Sequence, residues 1–394
     1  MDRRNFFKSA ALGASGVMMG KTVLASSASQ TEGKLVYRTL GRTGLQIPVV
    51  SMGVMRADNP NLVRAALEKG VTLFDTAHGY QRGNNERMLG EVLQDYPRDS
   101  FIVGTKVGPT GKDRQTGDLT SDTDPEEFER MFHISLERLQ MDYVDILHVH
   151  GLSSRQSVTF EPLLKKLEQI KQEGKARFIG FSTHQNMPEV IDEAAESGFY
   201  DVVLTSYNFQ MADWKEMNHA LEKAAAAGIG LIAMKTMAGA FFDNDRTQPI
   251  NVKAALKWAL LNPNIHTSIP GYTSFNELEE SFSVMENLHL SDDEMKDLRL
   301  AQHEASLFCL GCNDCLGQCS KGLSIPDLMR GYMYTYGYRA YAEARELVAS
   351  LDLPSEPCSD CAECTVTCRR GYQVAERISR VARWKDVPAD LFIA

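Results

Sequence analysis

None of the eight cysteines in this 394-residue chain lies before position 309. The first three hundred residues therefore have no disulfide framework and no thiolate metal site, and packing must hold them together. Basic runs are also missing and the net charge is −10. Both argue against nucleic acid or an anionic membrane surface as partner. No membrane span is expected in the mature chain. Ser9 to Gly20, near the amino terminus, is only twelve residues long, rich in Ala and Gly, and too short to cross a bilayer. No Gly-x-Gly-x-x-Gly follows an early strand, so the usual signature of a doubly wound dinucleotide fold is absent. What is present is 43% apolar residues, enough for a large core, in a chain long enough for two or three units.

The chain is organised around residues 74 to 90, FDTAHGYQRGNNERMLG. A short apolar strand delivers Asp75 at its end, Tyr80 follows in a Gly-containing loop, and Asn84-Asn85-Glu86 opens an amphipathic helix. Two later strands end in comparable groups: FIVGTKV in Lys106 and YVDILHVHG in His150. In a parallel barrel, the carboxyl ends of neighbouring strands converge on one mouth. An ammonium beside a phenol favours phenolate, so the expectation is that Tyr80 titrates below its usual value of about 10. That would make it a usable acid for carbonyl reduction, in which carbon receives hydride and oxygen receives a proton. His148 and His150 point to the same face, being two residues apart on a strand. His148 is expected to be a hydrogen-bonded core histidine.

Strand and helix signals alternate through the rest of this region. Helices read at 61–69, 124–139, 160–173, 188–197, 214–227, 250–261 and 275–287. Strands read at RFIGFSTH, DVVLTSYN, GLIAMKT and HTSIPGY. Eight strand–helix units predict an α/β fold, a (β/α)8 TIM barrel over residues 35–300.

The residues Asp75, Tyr80, Lys106 and His150, together with the opening Arg-x-Leu-Gly-x-Thr-Gly-Leu, resemble the aldo/keto reductase superfamily. The Tyr-x-Asp segment at Tyr143 selects His150 over His148 for the last catalytic position. The resemblance implies an NAD(P)(H)-dependent oxidoreductase acting on a small carbonyl or alcohol. Its cofactor would lie over the ends of strands five to eight, against Ser182, Thr183, Tyr207, Met234, Lys235 and Gly271. Ser182 and Thr183 would hold the nicotinamide amide and Tyr207 would stack on the ring, whereas Lys235 could equally be a solvated rim lysine. The chain departs from the family at Thr183, Leu204, Gly271 and Glu277. The last two replace cations that clamp a 2′-phosphate, which implies NAD over NADP and leaves flavin possible. These departures also motivate an alternative, an electron-transfer or partner-binding protein with a silent barrel.

Residues 301–385 contain Cys309, Cys312, Cys315 and Cys319, then Cys358, Cys361, Cys364 and Cys368. Both sets read C-x2-C-x2-C-x3-C, the ferredoxin run without its final proline. Two 4Fe–4S clusters in a mostly α, ferredoxin-like domain are expected, with zinc or disulfides as alternatives. In two-cluster ferredoxins the fourth cysteine serves the other cluster. One site would then use Cys309, Cys312, Cys315 and Cys368, and the other Cys358, Cys361, Cys364 and Cys319. A redox partner protein is a possible corollary.

Residues 1–30 begin with Arg3-Arg4-Asn5-Phe6-Phe7-Lys8 and end in small residues. This resembles a twin-arginine signal, and implies the export machinery as a partner and a periplasmic location. The alternative is a basic tail on a cytoplasmic enzyme.

Overall fold

The computed structural model describes residues 35–211, 213–300, 307–354 and 356–392. The signal expected at residues 1–30 lies outside them. A hairpin of β1 (Tyr37–Thr39) and β2 (Gln46–Pro48) precedes eight parallel strands. These are β3 (Met52–Gly53), β4 (Leu73–Asp75), β5 (Ile102–Val107), β6 (Val144–Val149), β7 (Ala176–Thr183), β8 (Val202–Ser206), β9 (Gly230–Met234) and β10 (Thr267–Ser268). Each pairs with its sequence neighbour. Bonds from Ser51 N–H to Ser268 O (2.8 Å) and Gly53 N–H to Pro270 O (3.0 Å) join the first strand to the last. Among the described residues this near-closed barrel matches the architecture expected from the alternating pattern.

The helices around it are α1 (Pro60–Glu68), α2 (Asn84–Leu93), α3 (Pro125–Leu139), α4 (Glu161–Gln172), α5 (Met187–Ser197), α6 (Trp214–Ala226), α7 (Val252–Leu260) and α8 (Phe275–Phe282). Their starts have local causes. Asp124 accepts hydrogen bonds from the N–H groups of Glu126 (2.9 Å) and Glu127 (3.2 Å) at the head of α3, and Pro125 occupies the first turn. The eighth helix is shorter than expected and continues as a 3-10 turn at Ser283–Met285.

Alternation along the strands sorts the barrel interior into layers. Leu73, Ile102, Ile146, Val202, Leu204 and Ile232 form an apolar layer, closed below by Leu40 and Ile47 from the hairpin region. Lys106 and His148 pair in register one step nearer the mouth. Gly180 makes room there, because a Cβ on it would stand 2.7 Å from His148 Nδ1. His148 is fully buried, yet neither ring nitrogen makes a hydrogen bond of good geometry among the described residues, contrary to the sequence expectation.

Burial first, and then Lys106, pushes His148 down to about 3. Burial also lowers His266, whose Nδ1 accepts from Leu231 N–H, to about 4. Both groups fold neutral but take up protons near 6.5 when unfolded. The unfolded chain therefore binds more protons between roughly pH 6.5 and these lowered values, and stability falls as pH drops through that window. His266→Gln should flatten this loss. The check is the thermal midpoint measured by circular dichroism from pH 7.5 to 4.5, wild type against variant.

The carboxyl-terminal part has its own small core. Helices α9 (Ile325–Tyr332), α10 (Tyr341–Ala349) and α11 (Val374–Ala382) pack Ile325, Leu328, Met329, Val348, Ile378 and Val381 together, with Cys309, Cys315, Cys319, Cys358 and Cys368 on the flank. This unit roofs the barrel mouth. Arg82 pairs with Glu346, Arg114 with Asp327 (3.5 Å), and Ser324 Oγ donates to Arg114 O (3.3 Å). The helix α10 between the two cysteine runs packs into this unit through Val348 and reaches the barrel through Glu346.

Candidate active site

Lys106, at the end of β5, is nearly inaccessible and sits at the centre of the mouth. Its ammonium donates to the Asp75 carboxylate, to Thr76 O (2.6 Å) and to Tyr80 Oη (3.4 Å). The Tyr80 and His150 rings meet edge-on, with centroids 6.0 Å apart. The three strand-end residues and Tyr80 are thus brought together.

The Tyr80 loop is braced by residues the sequence reading passed over. Asn85 Nδ2 donates to Val54 O (2.7 Å) and its Oδ1 accepts from Thr76 (2.7 Å). Glu86, fully buried, accepts from Thr105 Oγ1 (2.6 Å) and Arg138 (3.3 Å). Gln81 and Arg82 take left-handed backbone angles (φ 48° and 54°), and Gln81 Nε2 donates to Met55 O (3.0 Å). The polar start of α2 was the available signal: Asn and Glu ahead of an apolar face can be caps or buried braces.

Electrostatics at the mouth differ from the sequence expectation in one respect. Tyr80 is raised above its ordinary pKa, first by burial and then by Asp75 and Glu343, with Arg330 opposing. The expected lowering fails because Lys106 is already paired with Asp75, and the roof removes water. His150 is held well below 6.5 by burial, then by Lys106 and Arg330, and so is neutral. Above these groups lies a cavity of about 520 Å³. One wall is the long loop after β5, with Lys112 and Arg114; the roof carries Asp327, Arg330, Tyr334 and Glu343. Lys112 donates to Gly151 O (2.6 Å) and is brought down to about 8, chiefly by burial. No sequence motif marked these wall and roof residues.

The Aldo/keto reductase family model matches residues 50–254, just over half of the chain. The chain belongs to the aldo/keto reductase family. It is 28% identical over 294 residues to L-galactose dehydrogenase of Arabidopsis thaliana, a match covering 65% of this chain and 89% of that one. It is 23% identical over 342 residues to L-glyceraldehyde 3-phosphate reductase of Escherichia coli O157:H7, covering 70% and 95%. Among solved structures, an aldo-keto reductase from Bacillus halodurans in its holo form shares the fold, with TM-score 0.55 and 21% identity, covering 69% of this chain and all of that one. The protein is an aldo/keto reductase-type oxidoreductase.

The family generally uses NAD(P)(H), but the six residues expected to hold it do not form one open site here. Ser182 Oγ accepts from Gly151 N–H (3.0 Å), and Thr183 Oγ1 donates to Gln185 O (3.0 Å). Tyr207 points into the helix layer. Its ring stacks on Trp258 at 5.1 Å, and its hydroxyl bonds Asn218 (2.7 Å) and Asn262 (3.0 Å), so it is not available to stack on a nicotinamide. Met234 packs against the apolar barrel layer beside Leu204. Gly271 backs onto Gly53 O. Lys235 is no solvated rim lysine: burial, with Arg330, brings it to about 7 while Cys309 pulls the other way.

No disulfide joins any of the eight cysteines. Cys315 experiences the like charge of Cys309, Cys312 and Cys368. Cys358 experiences that of Cys361, Cys364 and Cys319. The second four line a cavity of about 130 Å³. Among the described residues no three His, Cys, Asp or Glu side chains close on one metal ion.

Proposed function

We propose that this enzyme interconverts a carbonyl and an alcohol on a small polyhydroxylated substrate, with Tyr80 as the acid/base. The observation that carries this reading is Lys106, bonded to both Asp75 and Tyr80 beneath a roofed polar cavity. Reduction adds a hydride equivalent at carbon, which a bound two-electron carrier such as a flavin would have to supply, and a proton at oxygen. Tyr80, kept as the neutral phenol, gives that proton to the developing alkoxide. The Lys106 ammonium stabilises the phenolate left behind, and Asp75 fixes the ammonium. Neutral His150 donates a hydrogen bond that orients the substrate oxygen. Cations (Lys112, Arg114, Arg330) and carboxylates (Asp327, Glu343) alternate around a space the size of a sugar, which favours a ligand rich in hydroxyls. The names of the relatives, a galactose dehydrogenase and a glyceraldehyde phosphate reductase, agree with that class.

Two 4Fe–4S clusters would be held by Cys309, Cys312, Cys315 with Cys368, and by Cys358, Cys361, Cys364 with Cys319, in support of which stands the grouping of the thiols. Such clusters would supply one-electron carriers beside the barrel. The Arg3-Arg4 leader supports export by the twin-arginine route and a periplasmic location. Tyr80→Phe tests the central assignment. With an artificial redox dye and a panel of aldoses, turnover should fall about 10²- to 10⁴-fold, while the circular dichroism spectrum and iron content stay unchanged. Near-normal turnover would overturn the role of Tyr80.

A further inference from the structure

The ends of β7 and β9, with Lys235 beside them, lie under a stretch of this chain's own tail. Gly311 O accepts from Asn186 N–H at 2.9 Å, just past the end of β7. The approach is backbone on backbone: a Cβ on Gly311 would stand 2.0 Å from His184 O, and its φ of +75° favours glycine. Phe308 is seated against Gly239, in the loop after β9, where a Cβ would lie 2.6 Å from its ring. Between these two anchors Cys309 and Lys235 line the same small space. The stretch is held from behind as well. Tyr372 Oη donates to Phe308 O (2.7 Å) and Arg377 to Leu307 O (2.8 Å).

Volume decides what this means. The space remaining between the tail and the ends of β8 and β9, lined by Ser206, Lys235, Phe308 and Cys309, is about 30 Å³. That is room for about one water, whereas ligand sites run to roughly 300–1,000 Å³. The 520 Å³ cavity that reaches Tyr80 and His150 is lined by none of Ser182, Thr183, Tyr207, Met234, Lys235 or Gly271. Its wall on that side is instead Asn313 and Leu316, from the first cysteine run. We propose that Phe308–Asn313 is the resident occupant of the nicotinamide floor, so that the folded full-length protein admits no free nicotinamide dinucleotide there. The substrate cavity then borders the first thiol quartet where its relatives would present a diffusible cofactor.

The test uses the full-length chain, purified without oxygen so that its metal content is intact. Equilibrium dialysis against NADH and against NADPH should show no saturable uptake up to about 1 mM. In parallel, hydrogen exchange of the 184–187 amides, one of which is tied to Gly311 O, should be unchanged by either nucleotide. Uptake of one nucleotide per chain with a micromolar constant would overturn the proposal, as would nucleotide-induced loss of protection at 184–187. The Tyr80→Phe assay runs on a dye rather than a nucleotide, so failure of one reading is distinguishable from failure of the other.

Discussion

Lys106→Met should abolish turnover and also destabilise the barrel, by about 3–5 kcal/mol, the usual cost of removing one partner from a buried ion pair. Asp75 and Lys106 are only 3% and 2% exposed, so neither can recover its solvation when the other is lost. Burial already raises the Asp75 pKa, and Lys106 is the group that opposes this. Without the ammonium, Asp75 should take up a proton, and the variant should become less stable as pH rises because the carboxylate then has no partner. The double variant Asp75→Asn/Lys106→Met should regain much of the stability but none of the activity. Urea titrations of the three proteins, alongside the dye-linked assay, would measure both effects. A double variant as inactive but also as unstable as the single one would show that the stability loss is a packing defect rather than an orphaned charge.

Under the proposal of two 4Fe–4S clusters, Cys368→Ala is expected to remove the one held by the first cysteine run, fifty residues away in sequence, and to leave that of its own run. Iron per chain should fall from about eight to about four. Cys309→Ala should give the same electron paramagnetic resonance spectrum as Cys368→Ala, and Cys319→Ala the same as Cys361→Ala. The grouping rests on Cys319 lining one cavity with Cys358, Cys361 and Cys364, and on the crossed pattern of two-cluster ferredoxins. If Cys368→Ala instead matched Cys361→Ala, each run would serve its own cluster and the crossed arrangement would be wrong.

Much of the barrel was legible because its signals are local. Strand period fixes which side chains face inward, so Asp75 and Lys106 could be placed at strand ends from spacing, whereas only the family resemblance picked His150 over His148 on the same face. The Asp124-Pro125-Glu126 helix start was readable for the same reason: capping involves only the next three residues. Tyr207 shows the limit. Strand spacing brings it to the end of β8, but its ring follows Trp258 and the Asn218 and Asn262 side chains, partners in other elements. The acidity of Tyr80 was misjudged for a related reason. Its pKa depends on Glu343 and Arg330, more than two hundred residues later, and on the water those residues exclude.

By itself, then, the sequence determined the alternating barrel, the four groups at its strand ends and the two spaced cysteine runs, since periodicity and spacing act over a few residues. Tertiary structure alone decided that the tail roofs the mouth, that Arg330, Glu343 and Lys112 enclose the cavity, and that Phe308 and Gly311 cover the ends of β7 to β9. Those contacts join segments far apart in the chain. They are selected by complementary shape and by the desolvation of charges, neither of which leaves a repeating mark in the order of residues.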